Sequence, residues 1–127
     1  MKFSAIAFFA SLILCLHVNA ATLGLPRYSD TLTTPNFVIT IALHCDEGVV
    51  ECDQVTYRGQ AKRTGSEILL NGKTMHTKCA DGVTPCRFLG YPFKNGDTNY
   101  FVYDNGRLRV VGALGKVVVD EQGEWGR

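Results

Sequence analysis

The chain has 127 residues, 46% of them hydrophobic and 20% charged, with 13 Lys and Arg against 12 Asp and Glu. That length suits one domain with a modest core and leaves no room for a second. The charges are balanced and never run in blocks of one sign, which excludes the basic footprint that nucleic acid or an anionic membrane surface requires.

Met1 and Lys2 lead into an apolar run over residues 3–16, and Val18-Asn19-Ala20 then supplies small groups at the positions a signal peptidase reads. Residues 1–20 are expected to be a cleaved export signal. The run is too short for a membrane span, which needs ~20 apolar residues. A lipidated Cys15 is disfavoured by bulky Leu14, which stands where a lipidation site wants a small residue. The expected location is periplasmic or secreted.

Residues 21–36, with Pro26, Pro35 and several Ser and Thr, read as an extended arm or a short leading strand before a β domain over residues 37–127. Phe37, Ile39, Ile41, Leu43 and Cys45 alternate with intervening positions that include Thr40 and His44, the period of a half-buried strand. Further strands are predicted at residues 53–59, 66–70, 73–79, 87–93, 98–103, 107–111 and 116–119. Asn71-Gly72, Asn95-Gly96 and Asn105-Gly106 predict three hairpin turns, because both residue types tolerate positive φ. No stretch after the signal has helical periodicity. The pattern predicts an all-β fold, a single small antiparallel barrel or sandwich of about eight meandering strands. Trp125 is expected to fold back and close one end of it.

Four cysteines remain after the signal, and an even number in an exported chain implies two disulfides. Three pairings are formally open. The short local closures, Cys45 with Cys52 and Cys79 with Cys86, are preferred because each encloses turn residues. Each would remove on the order of 2.5 kcal/mol of unfolded-state entropy, so the crosslinks shape loops more than they hold the fold. Zinc ligation by these cysteines with His44 and His76 is the rival, but structural zinc cysteines stand two to four residues apart.

Catalytic signatures are missing. There is no Gly-x-Ser-x-Gly elbow, His-Glu-x-x-His, phosphate-cradling glycine loop or dinucleotide fingerprint, and paired cysteines offer no thiolate. His44 and His76 fall on the polar phase of their strands and read as exposed sheet residues. No cofactor or metal is expected. The first cysteine loop carries Asp46, Glu47 and Glu51 and lacks the ligand spacing of a calcium loop. The second holds Asp81 and Thr84 and runs into Arg87, Phe88, Leu89, Gly90 and Tyr91, a stretch without clean alternation. It reads either as a strand buried on both faces or as a recognition edge, since Arg and Tyr are enriched at binding hot spots.

The segment Cys52-Asp53-Gln54-Val55-Thr56-Tyr57 resembles the cysteine-led strand of the C-type lysozyme inhibitors, which are small periplasmic or membrane-bound proteins of Gram-negative bacteria. The export signal, chain size and short cysteine loops also resemble immunity proteins against wall-degrading toxins. Thr64-Gly65-Ser66-Glu67 does not reproduce the Ser-Gly-x-x-Tyr loop of the lysozyme inhibitors, so no inhibitory residue is carried over. Residues 79–93 resemble a family of bacterial exported proteins to which no activity is attached.

The expected function is non-enzymatic inhibition of a cell-wall-active enzyme, a lysozyme or an amidase, by a protein that docks through its cysteine loops. The expected contact residues are Asp46, Glu47, Glu51, Asp81, Thr84, Arg87 and Tyr91. A structural or adhesive envelope domain acting through an edge strand is the alternative. A small-ligand carrier is the third reading. A barrel this small is usually filled by side chains, and an apolar cavity lined by Tyr57, Met75 and Tyr100 is what the carrier would require.

Overall fold

The computed structural model describes residues 25–127; the export signal read in residues 1–20, Cys15 included, lies outside them. Among the described residues, ten strands form one antiparallel sheet: β1 (Tyr28–Thr33), β2 (Phe37–Leu43), β3 (Val55–Ala61), β4 (Glu67–Gly72), β5 (Met75–Lys78), β6 (Pro85–Asn95), β7 (Thr98–Tyr103), β8 (Arg107–Val111), β9 (Val117–Gln122) and β10 (Glu124–Trp125). Among the described residues there is no α-helix, and no helix is long and apolar enough to cross a membrane.

Strand order around the sheet is β10-β1-β2-β3-β4-β6-β7-β8-β9, with β5 paired to β6 off that path. The last two strands close the ring. β9 lies against β8, the chain passes Gly123, and β10 then pairs with β1 through Leu32↔Trp125 and Thr33↔Glu124. Gly123 permits the crossing because a Cβ there would stand 2.5 Å from the Thr33 carbonyl oxygen. Trp125 donates its Nε1–H to the Asp104 carbonyl at 2.8 Å, which ties the closing strand to the β7–β8 turn. The fold is therefore a nearly closed barrel.

Residues 28–33 form the leading strand rather than a loose arm, and Leu32 is fully buried in the core. Alternation sends Ile39 and Ile41 of β2, Val55 and Tyr57 of β3, Val102 of β7, and Leu108 and Val110 of β8 inward with it. Burying each large aliphatic contributes about 1.5–3 kcal/mol, which makes this belt the main source of stability.

Two of the three predicted hairpin signals lie at turns. Gly96-Asp97 separates Asn95 from its partner Thr98, and positive φ at Gly96 alone matches a type II′ loop, so the turn sits one residue later than the Asn-Gly pair suggests. Gly106 has φ of 88° at the end of a three-residue loop. Asn71-Gly72 is different: both residues lie within β4, and β4 does not pair with β5. Gly72 serves close approach instead, since a Cβ would collide with the Pro92 carbonyl oxygen and the Phe93 ring. Gly72↔Phe93 is the single register pair that joins β4 to β6, and it leaves the rest of β4 along an open seam.

Candidate functional site

Both disulfides have the expected partners, with Cα–Cα distances of 5.8 Å for Cys45–Cys52 and 5.1 Å for Cys79–Cys86. The sulfurs are thereby committed to each other, which removes the zinc rival. The first staple closes the β2–β3 loop, whose base is a hydrogen bond of 2.9 Å from His44 N–H to the Gln54 carbonyl. The second closes the tip of the β5–β6 hairpin, where Cys79 N–H donates to the Thr84 carbonyl at 2.8 Å.

Tertiary contacts bring the loops to the same end of the barrel. Thr74, in the β4–β5 corner, donates its N–H to the Cys52 carbonyl at 2.8 Å and accepts the Cys52 N–H on Oγ1 at 2.9 Å. Lys78, one residue before the second loop, places Nζ 3.5 Å from Glu51 Oε1 of the first loop and 3.4 Å from the Val83 carbonyl of its own. An exposed pair of this kind adds little stability and bridges the two tips across their surface. Val49, Val50 and Val83 project from these tips with 50%, 60% and 76% of their surface exposed.

The residues expected to make contacts divide into three groups. Glu51 lies between the loops as described, Asp46 pairs with Arg27 at 3.5 Å, and Glu47 is exposed beside it. Asp81 and Thr84 are occupied within their own loop, where the Asp81 carboxylate accepts the Thr84 hydroxyl and the N–H groups of Val83 and Thr84. Those bonds, the Thr84 hydroxyl first, hold the Asp81 carboxyl down at about 2. Asp81 thus braces its own loop while its carboxylate stays exposed at the tip.

Arg87 is exposed and lines a recess of about 440 Å³ with Tyr103, Asn105 and Arg107. Tyr91 contradicts the expectation: it is 7% exposed, its ring stands edge-on to Phe88 at 5.1 Å, and burial pushes its hydroxyl up to about 12. The segment that runs from Arg87 to Tyr91 is not a sheet edge either, because β6 is flanked by β5 and β7. Gly90, at φ of 143°, breaks the alternation there, which explains the irregular pattern in the sequence. The histidines are also less open than expected. His44 is half-buried with Nε2 3.1 Å from Thr56 Oγ1, and His76 packs on Phe88 at 5.4 Å between ring centroids.

Sequence reasoning missed Lys78. Its signal was only its place on the polar phase beside Cys79, which does not reveal a partner 27 residues away. It also expected a filled interior. At the opposite mouth, however, there is a cavity of about 380 Å³ lined by Tyr57 and Tyr100, although Met75 is absent from it because β5 lies off the barrel path. Among the described residues, no group of three or more His, Cys, Asp or Glu is placed to hold a metal ion. Comparison of the chain with protein-family models, curated proteins and solved structures returns no match.

Proposed function

We propose that this protein is an exported binding protein that inhibits a cell-wall-active enzyme, a lysozyme or an amidase, by docking its two stapled loops into the enzyme's cleft without turning over substrate. The observation that carries this reading is Lys78, which joins both disulfide loops into one tip bearing exposed Val49, Val50 and Val83 beside Glu47 and Glu51. Apolar side chains on a crosslinked support lose little conformational freedom on association, so more of their burial remains as affinity. Asp46 and Glu51 are already paired with Arg27 and Lys78, so Glu47 is the carboxylate left to meet a cationic group in the cleft. Arg87 extends the same surface, Asp81 and Thr84 brace the exposed second loop within it, and Tyr91 packs beneath.

Calorimetric titration of the purified protein against lysozymes and amidases tests the reading. A complex weakened at least tenfold by Val50→Asp combined with Val83→Asp is the expected result. A folded protein that binds none of these enzymes would defeat it. A second reading, an envelope domain that pairs through an edge strand, draws on the part of β4 left along the open seam, where Leu69 is 73% exposed. A homo-oligomer in size-exclusion light scattering, dissociated by Leu69→Lys, would favour that alternative.

A further inference from the structure

The mouth of the barrel away from the staples is bounded by the start of β2, the end of β3, the start of β4 and the starts of β7 and β9, with Phe37, Ala61, Ile68 and Val119 among its walls. Its volume of about 380 Å³ falls within the ~300–1,000 Å³ of small-molecule pockets. A small barrel usually fills this space with side chains. Here Gly59 contributes none, and the Tyr57 ring lies over it, with Oη 2.6 Å from where a Cβ would stand. Tyr57 is 2% exposed and packs against Phe93 at 5.2 Å and Tyr100 at 5.6 Å. Burial raises the pKa of its hydroxyl, so it remains a neutral donor. A ligand oxygen that accepts from this hydroxyl in the cavity would gain about one net hydrogen bond.

We propose that this mouth binds a small uncharged amphiphile, an aliphatic chain in the barrel with one hydroxyl or carbonyl oxygen accepting from Tyr57 Oη. The charge of the walls selects against anions. Among the described residues, Glu67 is the one charged residue lining the cavity, and Arg58 already engages it at 3.0 Å on the outer face. A carboxylate would lose its water there and gain no cation. The open seam beside β4 gives a route in, since Ser66 and Ile68 of the β4 side face Thr98 and Tyr100 of β7 across the cavity. This site is separate from the stapled tip, and its occupancy does not depend on any protein partner.

Methyl NMR of the full mature chain titrated with 1-octanol tests the proposal. Saturable one-to-one shifts are expected at the Ile68, Leu108, Val110 and Val119 methyls, with Val49 and Val83 unmoved. Octanoate should bind at least tenfold more weakly. Tyr57→Phe should weaken octanol by about three- to tenfold, the range one net hydrogen bond accounts for. Ala61→Phe, or Ile68→Trp should that variant not fold, should abolish the shifts by filling the mouth. Absence of saturation in the folded protein, shifts confined to the loop valines, equal affinity for octanoate, or unchanged binding in the filled variants would each overturn it.

Discussion

The two ends of the barrel solve opposite problems with the same strands. At one end, loops that a sheet would leave mobile are closed covalently, braced by Asp81 and linked through Lys78, and they present side chains outward. At the other, short turns leave the strand ends uncovered, Gly59 makes room beneath Tyr57, and the residues face inward around a space. The contrast teaches that a small barrel can separate an outward, rigid surface from an inward recess, because the buried belt between them sustains both.

That belt is where the largest effect is expected. Ile41 is fully buried, and Ile41→Ala should cost about 2–5 kcal/mol in denaturant unfolding, with loss at both ends together. A loss well below that range would mean the ends do not share one core. Removing a staple should cost less. Cys45→Ala with Cys52→Ala should lower stability by about 2.5 kcal/mol while far-ultraviolet circular dichroism keeps its β signature. Collapse of that signature would make the loop a foundation of the fold rather than a shaped tip.

Two glycines sharpen the comparison further. Gly59→Ala, at the mouth, forces a Cβ within 2.6 Å of the Tyr57 ring and should cost about 1–3 kcal/mol through overpacking. Gly48→Ala, in the first stapled loop, meets nothing within 4 Å but sits at φ of +88°, so it should cost about 1 kcal/mol through backbone strain alone. Tyr57 ring signals unmoved in Gly59→Ala would erase the distinction between crowding at one end and conformation at the other.

The smallest effect concerns acid. Because the folded Asp81 carboxyl is held below its ordinary 3.8, its bracing is complete above that value and disappears as pH falls through about 2. Amide NMR of Val83 and Thr84 should titrate with a midpoint near 2, and Thr84→Val should move that midpoint upward. A midpoint at the ordinary carboxylate value would remove the brace.

Much of the fold was legible because its signals are local. Alternation from Phe37 to Leu43 and through the later strands marks which side chains turn inward, and six residues between cysteines leave little freedom in pairing. The contact surface was less legible. Asp46, Glu47, Glu51 and Arg87 are on the outside as residue type suggests, whereas Tyr91 is inside because it shares the inward phase of Phe93, opposite buried Val102, and the break at Gly90 hides that phase in the residues before it. Asp81 looked wholly available in the sequence, yet three of its acceptor positions are taken by its own loop.

The sequence by itself determined the all-β character, most strand positions between β2 and β9 and the two stapled loops, since each follows from a period or a short closure within a dozen residues. The tertiary structure alone decided that the loops share an end, that β10 closes on β1, that Asn71-Gly72 marks a close approach instead of a turn, and that a cavity remains at one mouth. Those outcomes depend on stagger between strands distant in the chain. Stagger is set by packing and closure of the whole ring, and no local pattern encodes it.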